Sequence, residues 1–293
     1  MTVATEALGG PVVHISQRQR MWRTFRRNRA AFAGLIMVIA IVLTAVFAPV
    51  LSPHDPYDQT AKERLSPPSR VHPLGQDDYG RDILSRTIYA SRIALLVGVL
   101  SVALGGILGT IMGIVAAYRG GAIENVIMRL VDVLLAFPDL ITGLLVMAVL
   151  GGGLRNMIIA IGIVISSRFA RLAHGSTLAM REKDYVSAAR SIGVRDVRML
   201  GRHVVPNILG ELMVMASLWT ASAIRIEANL SFIGLSVPPP TPTWGQMIRD
   251  GTVHLLTAPY FSIFPGLAVL ITIMAFNLLG DGLRDVLDPR LQE

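Results

Sequence analysis

Three acids set among apolar residues, Asp132, Asp139 and Glu227, are the side chains of this sequence best suited to chemistry. A carboxylate at the centre of a bilayer costs about 2.5–3.5 kcal/mol, so each must face protein, water or an interface. Each is therefore a candidate for lining a pathway or gate. Asp132 and Asp139 are seven residues apart, which on a continuous helix places them on one face about 10 Å apart along the axis. Arg129 precedes Asp132 by three residues and is placed to pair with it. Pro138, directly before Asp139, predicts a kink or the end of a helical turn. The alternative for this pair is a role in helix ends and packing. Glu211, Arg225 and Glu227 bracket another apolar segment, and snorkelling at helix ends accounts for all three without a transport role.

The familiar catalytic constellations are missing. There is no cysteine, hence no disulfide scaffold, thiolate chemistry or Cys-ligated zinc. No H-E-x-x-H or G-x-S-x-G occurs, and Leu278 stands where an intramembrane Gly-x-Gly-Asp protease needs glycine. The six histidines (His14, His54, His72, His174, His203 and His254) have no ligand spacing and are expected at surfaces or interfaces. A phosphate-cradling P-loop needs G-x-x-x-x-G-K followed by Ser or Thr. The lysines are Lys62 and Lys183, preceded by Ala61 and Glu182, so neither belongs to one. Energy for any uphill work must come from a partner or an ion gradient.

The elements that would hold these residues are membrane helices. Hydrophobic residues make up 52% of the 293 residues and charged residues 16%, against about 25% charged in a typical soluble domain. Ala30 to His54, Ile93 to Tyr118 and Thr252 to Gly280 contain no Asp, Glu, Lys or Arg, and each can cross a bilayer. Ile123 to Leu150, Leu154 to Phe169 and Ile208 to Ile224 are weaker candidates, giving six spans. The first is an uncleaved signal anchor, because 29 residues precede it and no A-x-A cleavage site follows. In the second, Gly105, Gly109 and Gly113 repeat every four residues, a stripe that lets another helix backbone approach closely.

Charge gives an orientation. With the N-terminus inside, the cytoplasmic segments hold 18 Lys and Arg and the outer segments hold 9. Arg18, Arg20, Arg23, Arg26, Arg27 and Arg29 would lie against anionic lipid heads. The net charge is +7, but its clustering at membrane boundaries is not the distribution of a nucleic-acid binder. The expected organisation is a basic cytoplasmic segment (1–29), a first transmembrane helix (30–51), an extracytoplasmic loop (52–92), a core of five transmembrane helices (93–281) containing an inner loop (168–207), and a cytoplasmic tail (282–293).

The inner loop holds about 40 polar residues. Leu178 to Ile192 reads as an amphipathic helix broken by Gly193. Asp196 can cap a second helix that must end before Pro206. Such a helix–Gly–helix unit offers Tyr185, Val186, Ala188, Ala189 and Ile192 to a groove on another protein. The alternative is a helix lying on lipid. On the outer side, the four prolines between Val237 and Thr243 form a stiff segment, and Trp244 is placed to anchor at the membrane interface. Pro239, Pro240 and Trp244 are candidates for docking a receptor, or for capping the bundle.

Ser187-Ala188-Ala189, then three residues, Gly193, then twelve residues and Pro206 resembles the "EAA" loop of ABC-importer permeases. Ser187 stands where the signature has Glu, and His203 and Val205 where it often has Ile and Leu. The similarity continues in His72 to Arg86, Arg129 to Pro138, Glu227 to Ser236, Pro239 to Gly245 and Asn277 to Pro289. It covers nearly everything after residue 20. The chain resembles the "C" permease subunit of the dipeptide, oligopeptide and nickel importer family.

That resemblance implies an all-α type I importer bundle of six spans with both termini cytoplasmic, in a bacterial or archaeal cytoplasmic membrane. It implies an ATPase-coupling loop that includes Asp184, Tyr185, Ser187, Ala188, Ala189, Gly193, Asp196 and Pro206. The implied partners are a homologous "B" permease forming a heterodimer, two ABC ATPases carrying the ATP and magnesium, and an extracytoplasmic solute-binding protein. No cofactor is expected on this chain. The implied substrates are peptides, with nickel or another small solute as alternatives. A secondary transporter using Asp132 or Asp139 as proton carriers is the competing class, and it leaves the inner loop unexplained.

Overall fold

The computed structural model describes residues 28–186 and 194–287, and the described residues form no β-strand. Helix α1 (Arg29–Val46) starts where the Asn28 side chain accepts the Ala31 N–H at 3.1 Å. The same Asn28 donates to Asp285 at 2.9 Å, tying the start of α1 to the end of the last helix. Helix α2 (Ile83–Arg119) is capped by Asp82, whose carboxylate accepts the Ser85 N–H at 2.7 Å. It then runs for 37 residues, about 55 Å, longer than a bilayer core is thick. It begins ten residues before the uncharged run because its first turns hold Ser85 and Arg86, buried where the lobe of residues 52–82 packs on them.

Helices α3 (Gly121–Ala136) and α4 (Asp139–Leu150) form a broken span, bent by 102° at Phe137 and Pro138. This corrects the expectation that Asp132 and Asp139 share one helix face. The missing N–H and the ring of Pro138 end α3, and Asp139 starts a helix in a new direction. Helix α5 (Leu154–Arg181) continues well past the apolar stretch, and α6 (Val205–Ile233) follows the inner loop. A short helix (α7, Trp244–Thr252) leads to α8 (Tyr260–Leu287), which carries Pro265 within it. Among the described residues, five helices are long and apolar enough to cross a membrane, or six with the bent α3–α4 pair counted as one span.

The segment before α6 also departs from expectation. Helix starts at Asp196, but the chain does not stop ahead of Pro206. It passes from a helical turn (Asp196–Met199) through a π-turn (Leu200–Val204) directly into α6. Pro206 sits in the first turn of α6, directly after the π-turn.

The bundle is built on the α2–α5 pair. A Cβ added at Gly105, Gly109 or Gly113 would lie 2.5, 2.1 or 2.3 Å from the carbonyl oxygens of Gly162, Ser166 and Ala170. The backbones therefore touch, and only glycine permits it. Lipid tails are as apolar as leucine, so this close dispersion packing, rather than exclusion of water, holds the two helices. Met157, Ile161, Ile165 and Phe169 of α5 fill the core on the flank of the seam, joined by Ile208 and Leu212 of α6. A second core under the lobe gathers Ile83, Trp244, Met247, Phe261 and Phe276.

Candidate functional site

Two of the acids picked out by sequence, Asp132 and Asp139, are joined to bases on one helix, and Glu124 joins them. Arg168, Arg171 and His174 recur every three residues along α5 and so line one stripe of it. Arg168 meets Asp139 at 3.0 Å, Arg171 meets Asp132, and His174 meets Glu124 at 2.7 Å. The partner of Asp132 is thus Arg171, across helices, rather than Arg129 on its own helix. The three pairs fasten the broken α3–α4 span to α5. Each is partly exposed, and the guanidinium of Arg168 also lies 5.4 Å from the centre of the Trp219 ring. The signal that could have revealed the row is the Arg-x-x-Arg-x-x-His spacing, which reads in isolation as a positively charged loop entry.

Helix α5 leads from this row into the inner loop. Its end is held when Arg181 donates to the Ala117 carbonyl of α2. A break at Glu182 and Lys183 precedes a helical stretch beginning at Asp184. The amphipathic helix expected over Leu178 to Ile192 is therefore interrupted, since α5 itself runs to Arg181. Asp184 and Tyr185 are exposed, and Val186 is buried. The Tyr185 ring lies 6.2 Å from that of His203. Asp196 accepts a hydrogen bond from the Tyr118 hydroxyl at the end of α2, and Pro206 is exposed. Ser187, Ala188, Ala189 and Gly193 lie outside the described residues. Glu211, at the start of α6, accepts from Ser176 of α5.

Glu227 does not snorkel at a helix end. It is fully buried in α6, where one oxygen accepts from Ser231 at 2.7 Å. The chain of contacts continues from Ser231 to Ser236 at 2.9 Å and from Ser236 to Thr243 at 3.3 Å. Thr243 in turn accepts the Gln246 N–H that caps α7. Glu227 is thereby linked to the proline-rich segment beyond α6. Close packing explains its seclusion: Gly245 lies against the Ala228 carbonyl, where a Cβ would come within 2.1 Å.

Trp244 is likewise not an interface anchor. Its indole is 2% exposed and donates to the Thr87 carbonyl at 2.9 Å, so it locks α7 onto the first turns of α2. Pro239 and Pro240 are exposed and border a cavity of about 540 Å³, shared with Asp78, Arg81, Arg249 and Asp250. Burial, and then the neighbouring Asp77 carboxylate, pushes the Asp78 carboxyl above its usual range.

The lobe bordering that cavity is polar and holds buried charged groups. Asp77 is buried, with Arg81 at 2.6 Å and Arg86 at 3.4 Å. Arg86 also donates to the Pro56 carbonyl at 3.0 Å, and the Tyr260 hydroxyl donates to the Leu65 carbonyl at 2.6 Å. Although the histidines have no ligand spacing in sequence, the lobe brings His54 and His72 together, with ring centroids 4.4 Å apart and the rings tilted by 33°.

A wide apolar surface remains uncovered on α3 and α4, where Val126 and Val149 are 72% and 86% exposed.

Comparison with known proteins is consistent with this arrangement. The family described as binding-protein-dependent transport system inner membrane component matches residues 105–293. The N-terminal TM domain of oligopeptide transport permease C matches residues 16–68. Over 275 residues the chain is 40% identical to the glutathione transport system permease protein GsiD of Pectobacterium atrosepticum, spanning 94% of this chain and 91% of that protein. Identity is also 40% over 272 residues with the protein of the same name from Escherichia coli O6:K15:H31, spanning 92% and 90%. Among solved structures, an inward-facing conformation of the MetNI methionine ABC transporter matches with a TM-score of 0.57 and 16% identity. It covers 70% of this chain and 98% of that one. At that identity the likeness is one of fold.

Proposed function

We propose a mechanism from one established premise: this chain belongs to the family of binding-protein-dependent transport system inner membrane components. It is a permease subunit of an ABC importer. In our reading it supplies half of a translocation pathway for peptide-like solutes, glutathione among them, in a bacterial cytoplasmic membrane with both termini inside. A homologous second permease completes the pathway, covering the apolar face of α3 and α4. Two ATPases, with their ATP and magnesium, grip the inner loop, and an extracytoplasmic binding protein delivers the solute near Pro239 and Pro240.

The observation that carries this reading is the ion-pair row on α5. Helix α5 enters the inner loop directly, is fused to α2 by the glycine seam, and holds both arms of the broken span through Asp132, Asp139 and Glu124. A displacement of the loop is thus delivered to α3 and α4 as a rigid-body movement of α2 and α5. Such a movement exchanges inward-open and outward-open states when ATP binding favours one of them. Closely packed helices transmit displacement because they deform little. Asp132 and Asp139 hold α3 and α4 against α5 in this scheme. Each of these carboxylates is engaged by an arginine of α5, which assigns it to fastening helices rather than to a free pathway site.

Replacing Gly193 with valine tests the coupling. In the reconstituted complex, solute uptake per ATP hydrolysed is expected to fall at least about tenfold, with membrane insertion and complex assembly intact. Wild-type uptake would remove the loop from the coupling path.

A further inference from the structure

The geometry points to a metal site that the transport reading does not use: His54, His72 and Asp82 bind one divalent transition ion of the zinc or nickel class. The three residues come from separate parts of the lobe, and each brings one donor atom within 4.8 Å of the other two. The cluster is partly to fully buried, with side-chain exposure of 17% for His72 and 1% for Asp82. Two imidazoles and a carboxylate suit zinc, nickel or copper, and are a poor match for magnesium or calcium, which prefer all-oxygen shells.

The surrounding hydrogen bonds favour ligation. A carbonyl oxygen only accepts, so the contact of His54 Nε2 with the Val71 carbonyl at 2.9 Å places the proton on Nε2 and leaves Nδ1 with its lone pair. This is the outer-shell arrangement that fixes a metal-binding histidine in the right tautomer. His72 Nδ1 and Asp82 Oδ1 are 2.9 Å apart and share a proton. An ion takes the place of that proton, which passes by way of solvent to Nε2 of the same ring, so the neutral His72 keeps one hydrogen, now on Nε2. The Glu63 carboxylate, 3.9 Å from that nitrogen, is at hand to orient it. Asp82 keeps its second oxygen on the Ser85 N–H, and Ser85 Oγ accepts the His54 N–H at 3.1 Å. Donor atoms around an ion at about 2.0–2.1 Å stand roughly 3.4 Å apart in a tetrahedron, so binding draws the three donors together from their present span of up to 4.8 Å. The bound ion would clasp the chain after α1 to the start of α2.

The test uses the full chain in lipid nanodiscs, purified without a polyhistidine tag and stripped of metal. Zinc chloride and nickel chloride are titrated in competition with a chromophoric chelator. The expected result is one ion per chain, with binding weakened about tenfold or more by His54→Phe. That substitution keeps an aromatic ring against His72 while removing both nitrogens. His254→Phe, changing a histidine that stacks on Phe261 at 6.5 Å, is expected to leave binding unchanged. Zinc at 100 µM should also raise the thermal midpoint of the wild type but not that of His54→Phe. No binding by the wild type, or equal binding by His54→Phe, would overturn the proposal.

Discussion

The α2–α5 seam and the extramembrane lobe are both closely packed, yet by opposite means. In the seam, backbone meets backbone across Gly105, Gly109 and Gly113, and the contact is steric. In the lobe, a buried carboxylate, Asp77, is flanked by two guanidiniums, and the packing is organised around paired charges. The difference follows the solvent. A helix in lipid gains nothing by hiding apolar surface, so it must gain by fit. A loop in water can bury polar groups only if each finds a partner. In the proposed mechanism this is a division of roles, with the seam as the stiff lever and the lobe as a lid fastened on one end of it.

Breaking the lever should have the largest effect. Gly109→Val places a carbon 2.1 Å from the Ser166 carbonyl oxygen, a backbone atom that cannot yield as a flexible side chain would. The folded bundle is expected to be lost, seen as aggregation on size-exclusion chromatography and rapid degradation in the membrane. Gly175→Ala, on the same α5 but facing open space, should behave as wild type. A folded, active Gly109→Val would mean that the seam is looser than drawn.

Breaking the lid comes next. Asp77→Ala leaves Arg81 and Arg86 buried without their carboxylate, a class of change that costs about 3–5 kcal/mol. A clear fall in the thermal midpoint is expected, together with faster proteolysis between residues 52 and 82. The helices of the bundle should remain protected, so the two regions can be told apart.

The smallest effect sharpens the comparison between them. Asp132→Asn removes the charge of an ion pair that is about half exposed on both sides. Its stability cost is expected at about 1 kcal/mol or less. Transport should fall more than stability does, because the pair fastens α3 to the lever. Unchanged uptake by this variant would confine the linkage to Asp139 and Glu124.

Much of this was legible in the residues. Three uncharged runs marked α1, α2 and α8, Pro138 marked the broken span, and the four-residue glycine repeat marked the seam. The spacing from Ser187 to Pro206 pointed to the family that the comparisons support. What stayed hidden depends on contacts between distant segments. The polar first turns of α2 look like loop until the lobe that buries them is known. Glu227 and Trp244 sit at apparent helix ends, where exposure is the ordinary expectation, and only the packing of α7 on α2 and α6 secludes them. Pro206 reads as a stop because a π-turn ahead of it leaves no trace in composition. The ion-pair row needed both helices at once, since neither Arg168-x-x-Arg171-x-x-His174 nor the spread of Glu124, Asp132 and Asp139 is periodic with the other.

The most direct test of the central claim is solute uptake in sealed proteoliposomes containing this chain alone, or with its second permease, both ATPases and the binding protein. The account predicts concentrative uptake only in the complete assembly with ATP, persisting when the proton gradient is collapsed. Accumulation of solute by the isolated chain, driven by an ion gradient and indifferent to ATP, would contradict it.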